Sequence, residues 1–275
     1  MGESRYPKFT TLVYLGTDTF MNLTHIAVSL GAGLIAGVMN ALAGGGTLLT
    51  FPVLVWLGLN SITANATSTV ALWPGVVSGM VGYRRELRTL ENRFLYLAIP
   101  SLLGGFLGAN LLRLTPPGVF DRVVPYLILF ATILFVVQEP IQRFVKGSGA
   151  EAHKSVAWFV GAVIFQFFVG LYGGYFGAGI GILMLAAFSI LGMTDIHQMN
   201  GFKNTLGGSI NLLAALYFIS QKMVYWPDVG VMMAGAIAGG YFGAGGARKI
   251  GRTAVRRIVI GVGFGMALSL FFKHS

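Results

Sequence analysis

Two stretches of this sequence combine runs of glycine with polar residues, and both have the features of an anion-binding site. The first, NALAGGGT, covers residues 40–47, and the second, YGGYFGAGIG, covers residues 172–181. Glycine runs interrupt a helix, and the helix that restarts behind them carries unpaired backbone N–H groups at its positive end. Such helix ends bind anions. The sequence predicts these ends near Thr47 and Gly181.

Polar residues follow each glycine run at a similar distance. NATS occupies residues 65–68, and NGFKN occupies residues 200–204. Amide, hydroxyl and ammonium groups are hydrogen-bond donors that suit an anion. The candidate substrate-binding residues are Asn40, Gly44, Gly45, Gly46, Thr47, Asn65, Thr67, Ser68, Gly177, Gly179, Gly181, Asn200, Lys203 and Asn204.

The sequence offers little for other kinds of chemistry. It has no cysteine, which excludes disulfides and thiolate metal sites. The four histidines, His25, His153, His197 and His274, are scattered, and acidic residues such as Asp228 lie in loops or at segment ends. This pattern argues against a metal site, acid–base catalysis and a carboxylate proton relay. Because Walker A and dinucleotide-binding motifs are absent, we expect no cofactor.

The composition is that of an integral membrane protein. Of 275 residues, 55% are hydrophobic and 10% are charged, whereas a soluble domain has about 25% charged residues. The apolar runs are continuous and helix-length, without the alternation of a β-barrel. The net charge of +10 comes from short basic runs between apolar segments, which is a topogenic pattern and not a nucleic-acid-binding one. We therefore expect an all-α, multi-pass protein of the inner (plasma) membrane.

Ten apolar segments, five in each half of the chain, must position the candidate residues. A short arm (1–22), which lacks a signal-peptide cleavage site, precedes the first half (23–138), and a polar linker (139–155) precedes the second half (156–275). The segments are 23–42, 46–58, 65–82, 94–112, 119–138, 156–175, 179–192, 204–220, 229–246 and 255–272. The second segment of each half is too short to cross about 30 Å of hydrocarbon alone.

The two halves are related in sequence. The stretch AGVMNALAGGGTLLTFPVLVWLGL (36–59) aligns with VGLYGGYFGAGIGILMLAAFSILGM (169–193). The matched pairs are Gly37 with Gly170, Gly44 with Gly177, Gly46 with Gly179 and, further on, Asn65 with Asn200. The same features in the same order and at matching spacing indicate an internal duplication.

Basic loops orient the halves by the positive-inside rule. Arginines and lysines are concentrated in 83–93 and 247–257, and we expect both loops, with the linker 139–155, on the cytoplasmic side. Counting crossings from these loops puts residues 60–63 outside and the equivalent residues 194–198 inside. The repeats are therefore predicted to be inverted. In such architectures, broken or re-entrant helices from both halves meet near the midplane and bind the substrate.

Several candidate residues also have a purely structural interpretation. Glycines allow helices to pack closely, and asparagines such as Asn40, Asn65 and Asn200 can be interhelical hydrogen-bond partners. Two matched glycine runs, each beside asparagine, favour a binding site over this interpretation. Lys203 is an ionisable group at membrane depth and hence a functional candidate. It could instead extend its ammonium to the cytoplasmic interface, and the sequence leaves both interpretations open.

Each half has a glycine-rich break followed by a long apolar stretch, TLLTFPVLVWLGL in the first half and GILMLAAFSILGM in the second. A polar element then follows, N-A-T-S in the first half and N-G-x-K-N in the second. In these features the chain resembles the sulfite exporter TauE/SafE family over residues 23–272. The second half departs from the pattern, because Ala178 and Ile180 interrupt its glycines, Leu185 stands opposite Pro52, and Lys-Asn replaces Thr-Ser. The resemblance implies a transporter of small anions such as sulfite, organosulfonates or carboxylates, usually an exporter driven by an ion gradient.

We accordingly expect a secondary transporter that exports a small anion, foremost sulfite or an organosulfonate, by alternating access. A passive anion channel would use the same helix ends without alternating access. A membrane enzyme or assembly factor is the weaker alternative, because the sequence contains no catalytic constellation. The expected partners are the anion and the lipid bilayer, not nucleic acid, and a homo-oligomer is compatible with the sequence.

Overall fold

The computed structural model describes residues 22–42, 45–82, 95–147, 156–191, 193, 195–250, 260–269 and 271. Regular secondary structure within these ranges is helical throughout, which confirms the all-α expectation. The helices are α1 (Leu23–Leu42), α2 (Thr47–Trp56), α3 (Ser61–Gly82), α4 (Ala98–Leu114), α5 (Pro117–Gly147), α6 (Val156–Tyr175), α7 (Ile180–Ile190), α8 (Ile196–Ser220), α9 (Trp226–Ile250) and α10 (Ile260–Ser269). The predicted arm, apart from residue 22, and the loop 83–93 lie outside the described residues, as do 148–155 of the linker.

Helices α3 and α8 begin earlier than the apolar pattern predicts. The N–H of Thr63 donates to Asn60 Oδ1 at 2.9 Å, and the N–H of Gln198 donates to Asp195 Oδ1 at 3.4 Å. These side chains cap the helices. Hydrophobicity alone marks only the apolar part of a helix, so it misses such polar first turns. The caps place Asn65 one turn inside α3 rather than at its first residue, and they place Lys203 inside α8 rather than before it.

Helix α5 also extends past its predicted end at residue 138. It continues as a polar helix to Gly147, so its last turns occupy the first part of the predicted linker. The Gly-Ser-Gly of the linker begins at Gly147, where the helix ends. A helix continues until its backbone is interrupted, whether or not its side chains remain apolar.

Two described helices are long and apolar enough to cross a bilayer on their own, over Leu23–Asn40 and Pro117–Val137. Shorter apolar helices include α4, which exposes the side chains of Ile99, Leu103 and Leu107 on one face. Such a face suits lipid better than water.

The most extensive helix packing joins α1 to α9 and α4 to α6. Each of these four helices contributes two glycines, four residues apart, to its contact: Gly33 and Gly37, Gly235 and Gly239, Gly104 and Gly108, and Gly170 and Gly174. A Cβ atom at any of them would overlap a backbone carbonyl oxygen of the facing helix. These glycines therefore let two parallel backbones touch, as small residues do in membrane helices.

The packing exchanges helices between the halves. The first helix of each half, α1 or α6, packs on the fourth helix of the other half, α9 or α4. The third helices, α3 and α8, cross each other, and there Trp73 Nε1 donates to the carbonyl of Gly208 at 3.2 Å. Two related, interlocked halves would pack in this way. The inverted orientation of the halves stays a prediction.

The glycine contacts refine the alignment of the halves. In space, Gly37 corresponds to Gly174, one helical turn beyond Gly170, which the alignment pairs with it. A shift of four residues keeps the same helix face towards the neighbour. As a result, the α4–α6 crossing lies one turn closer to its glycine break than the α1–α9 crossing does.

Candidate functional site

The first break separates α1 from α2 and retains few free donors. Gly45 has a φ of +89°, and the N–H of buried Gly46 donates to Asn40 Oδ1 at 2.8 Å. The N–H of Leu48 is bonded to the carbonyl of Gly45. Among the described residues, the N–H of Thr47 therefore remains unpaired at this helix end. Gly44 lies outside the described residues.

The second break separates α6 from α7 and is stabilised differently. Gly177 and Gly179 have φ values of +80° and +79°, and Tyr172 donates its hydroxyl hydrogen to the carbonyl of Ala178 at 2.8 Å. At this break the side chain of Tyr172 pairs with a carbonyl oxygen, so it does not bond to any of the backbone N–H groups. The N–H groups of Gly179, Ile180 and Gly181 find no acceptor in the described part of the chain. The second break thus presents three unpaired donors.

Lys203 lies beside these donors. A Cβ atom at Gly181 would come within 3.0 Å of Lys203 Cδ, so the lysine stem covers the first turn of α7. Lys203 Nζ donates to Asn200 Oδ1 at 3.1 Å, and both side chains are half-buried. Asn204 follows on α8 and is also half-buried. The structure therefore brings Gly181, Asn200 and Lys203 together beside the first turn of α7.

The hydroxyls of α3 have partners within the protein. Thr67 Oγ1 accepts the N–H of Tyr225 at 3.0 Å, and Ser68 Oγ shares a hydrogen bond of 2.6 Å with Thr50 Oγ1. Thr67, Ser68 and Thr50 are fully buried. These contacts join α3 to the turn before α9 and to α2, as the structural interpretation of the polar residues expects. A substrate role for Thr67 and Ser68 stays a prediction from the sequence, and these contacts favour the structural interpretation over it.

Asn65 connects the first half to the second break. Its Nδ2 donates to the carbonyl of Tyr175, the last residue of α6, at 3.0 Å. The side chain is 1% exposed, and Oδ1 is buried without a hydrogen-bond partner. Because the free atom is an acceptor, it suits a donor such as a protonated ligand or water better than an anionic oxygen.

Two residues at the breaks were missed by sequence reasoning. Tyr172 stands at the start of the second glycine run, and a buried tyrosine needs a partner for its hydroxyl, so a local signal was present. Phe135 of α5 lies against Gly45, where a Cβ atom would overlap its ring. No pattern in the sequence near Phe135 or near Gly45 predicts the contact between these two residues.

Comparison with known proteins identifies the family. The model of the family described as sulfite exporter TauE/SafE matches residues 29–270. A probable membrane transporter protein of Haemophilus influenzae is 26% identical over 252 residues, which cover 91% of this chain and 96% of the relative. The probable membrane transporter protein YfcA of Escherichia coli K12 is 25% identical, with 87% of each chain covered. The probable membrane transporter protein ORF9 of a Sinorhizobium species is also 25% identical, with 87% and 89% covered. No solved structure matches. Since the family model covers almost the whole chain, this protein belongs to the sulfite exporter TauE/SafE family of membrane transporters.

Proposed function

We propose that this protein is a secondary transporter of the inner membrane that exports a small anion, sulfite or an organosulfonate, by alternating access. The observation that carries the proposal is the second break, where three unpaired N–H groups at the start of α7 adjoin the side chain of Lys203. The description of the family as a sulfite exporter supports the choice of anion. Transport, not catalysis, is also what the names of the relatives describe.

The chemistry of the second break suits an oxyanion. The end of α7 carries about half a positive charge, and the lysine contributes a further charge. Hydrogen bonds from these groups to an anion are charge-assisted and contribute roughly 1.5–3 kcal/mol each. The first break, with one unpaired N–H, contributes less, so the two halves bind the anion unequally.

The way in which the halves interlock supports alternating access. Each break joins a helix packed on the other half to a short helix, and Asn65 of the first half is hydrogen-bonded to the end of α6 in the second. Rocking one half against the other therefore moves the two helix ends relative to each other, as in other repeat-based transporters.

The proposal is tested by flux of labelled sulfite, and of a panel of sulfonates, into proteoliposomes. We expect saturable uptake and acceleration by unlabelled substrate on the opposite side, which alternating access produces. Imposed proton and sodium gradients identify the driving ion. Non-saturable flux without counterflow would instead make the protein a passive anion channel.

Replacing Lys203 by methionine is expected to abolish the rise in unfolding temperature that sulfite produces. Methionine keeps a similar length but removes the charge, whereas Lys203→Arg should retain part of the effect, since guanidinium is a poor substitute for a compact ammonium. Thermal unfolding of the purified protein, with and without sulfite, measures this. Lys222→Met is the matched control, because Lys222 is exposed in the turn between α8 and α9. Normal sulfite binding by Lys203→Met would assign the ammonium to the cytoplasmic interface instead.

Ser68→Ala and Asn200→Ala are expected to separate the structural polar residues from the ligand-binding ones. Ser68→Ala removes the hydrogen bond to Thr50, whose hydroxyl keeps the carbonyl of Gly46 as a partner at 3.2 Å. The free energy of unfolding should therefore fall by about 0.5–1.5 kcal/mol, with sulfite affinity unchanged. Asn200→Ala should weaken sulfite binding by about 1–3 kcal/mol, because Asn200 holds the lysine ammonium. Calorimetric titration and thermal unfolding report the two quantities. Reduced affinity in Ser68→Ala at an unchanged unfolding temperature would reverse this assignment.

A further inference from the structure

A buried carboxylate lies where α1 and α9 begin, at the opposite end of α1 from the first break. Asp228, in the first turn of α9, is fully buried. Its Oδ1 accepts hydrogen bonds from His25 Nε2 at 2.9 Å and from Ser29 Oγ at 2.7 Å, both on α1. Its Oδ2 is also buried and has no partner. Asp228 therefore lies at a helix start, as the sequence predicts, but it is buried there against a histidine that is distant in the sequence.

The charge of this group depends on His25. Neither α2 nor α3, which pack on α1, carries a charged residue. In the turn before α9 the charged or titratable groups are Lys222, which is exposed, and Tyr225, whose backbone N–H is bonded to Thr67. In the described part of the chain, His25 is thus the ionisable side chain in contact with Asp228. A buried carboxylate is strongly destabilised without a cationic partner.

The equivalent position in the other crossing is filled by neutral groups. Gln166 precedes Gly170 by one turn of α6, as Ser29 precedes Gly33 on α1. Gln166 Nε2 donates to Ser101 Oγ of α4 at 2.9 Å, and both side chains are fully buried. A neutral pair therefore suffices to link two helices at such a crossing. The titratable pair in the α1–α9 crossing calls for another explanation.

We propose that His25, Asp228 and Ser29 form a proton-binding site that couples transport to the proton gradient. The side chain of His25 is 11% exposed, and Nδ1, the ring nitrogen that does not face Asp228, is the atom that would take up the proton. Proton uptake gives an imidazolium paired with the carboxylate. Proton release leaves the carboxylate buried beside a neutral ring, which destabilises the packing of α1 on α9. The coupling part of this proposal rests on the proposed transport function.

The link to the substrate site runs along α1. This helix begins at the proton site and ends at the first break, where Asn40 is bonded to Gly46. A change in the packing of α1 on α9 therefore changes the position of the first break. Protonation at one end of α1 and anion binding at the other can thus bias the same movement.

The proton site is tested without substrate by thermal unfolding of the purified protein between about pH 5 and 8, the range in which histidine changes charge. We expect the unfolding temperature to show a step with pH that His25→Gln and Asp228→Asn remove. Ser101→Ala, which breaks the neutral pair, is the matched control and should lower the unfolding temperature at every pH without removing the step. A step that persists in His25→Gln overturns the site.

Ser29→Ala is a second test in case His25→Gln and Asp228→Asn fail to fold, because it keeps both titratable side chains. Without the hydroxyl, Asp228 Oδ1 loses one of its two hydrogen-bond donors, so the unfolding temperature should fall while the step with pH persists. Loss of the step in Ser29→Ala contradicts the assignment of the proton to His25 and Asp228. The wild-type titration is repeated with sodium and with choline at equal ionic strength. A step that depends on sodium would make Oδ2 a sodium ligand and overturn the assignment to a proton.

Coupling is tested in proteoliposomes that contain a pH-sensitive dye. We expect a sulfite gradient to move more protons per sulfite through the wild type than through His25→Gln. Protons carried by sulfite itself cancel in this comparison. Equal proton movement by the two proteins overturns the coupling. Absence of sulfite flux in the wild type contradicts the proposed function, while the substrate-free titration still decides whether the proton site exists.

Discussion

Gly239→Ala is expected to disrupt the fold, whereas Gly240→Ala, one residue further along α9, is expected to leave it intact. A Cβ atom at position 239 would overlap the carbonyl oxygen of Leu34 on α1, and a backbone atom cannot move aside as a flexible side chain can. Nothing lies within 4 Å of a Cβ atom at position 240. The first change therefore separates two helices, and the second only adds a methyl group at an open position.

The expected changes in the free energy of unfolding differ between the two variants in sign as well as in magnitude. Overpacking a core typically lowers the free energy of unfolding by about 1–3 kcal/mol, and we expect Gly239→Ala to reach or exceed the upper value. Gly240→Ala should raise it slightly, since alanine is favoured over glycine in a helix by roughly 0.5–1 kcal/mol. Thermal unfolding in detergent and the yield of monodisperse protein measure both. Equal unfolding temperatures in the two variants would contradict the close contact of α1 and α9.

The crossing of α4 and α6 allows the same glycine-to-alanine comparison to be made independently. At Gly174 of α6 a Cβ atom would overlap the carbonyl oxygen of Gly105, while at Gly161 of the same helix nothing lies within 4 Å. If the two crossings are equivalent, Gly174→Ala should destabilise the protein about as much as Gly239→Ala does, and Gly161→Ala should not. A large effect at one crossing alone would argue against the predicted relation between the halves.

Gly45→Ala is expected to abolish transport, and Gly179→Ala to reduce it, although both glycines lie at breaks. Each has a positive φ, at which an L-residue costs about 1–2 kcal/mol. At Gly45, a Cβ atom would in addition overlap the ring of Phe135. At Gly179, the nearest atoms belong to Leu134 and lie at 3.4 Å, an ordinary contact. The extra cost at Gly45 is therefore steric and specific to Phe135.

This second prediction has two internal controls. Gly58→Ala introduces an alanine at a φ of +101° with open space around it, in the turn after α2, so it reports strain alone. Adding Phe135→Ala to Gly45→Ala should restore part of the sulfite flux, because it removes the ring that the new methyl group would meet. Flux in proteoliposomes, normalised to inserted protein, is the measurement. Wild-type flux in Gly45→Ala would reduce the first glycine run to a spacer.

The sequence by itself determined the helical elements and the places where they break. The segments predicted at 23–42 and 156–175 coincide with α1 and α6. Both breaks fall within the predicted glycine runs, and each contains glycines at positive φ. These features depend on local properties, namely a continuous apolar run, a capping residue or a backbone conformation that glycine tolerates. The family resemblance rests on the same local features and is confirmed by the family model.

The tertiary structure alone decided what each polar group does. Asn40 pairs with an N–H at the first break and Tyr172 with a carbonyl at the second, which leaves the free donors beside Lys203. His25 and Asp228 are separated by 203 positions and meet only because glycines bring α1 and α9 into contact. A buried donor or acceptor must find its partner wherever the packing brings one within about 3 Å. That partner is set by helix packing across the whole chain, so local sequence patterns cannot specify it.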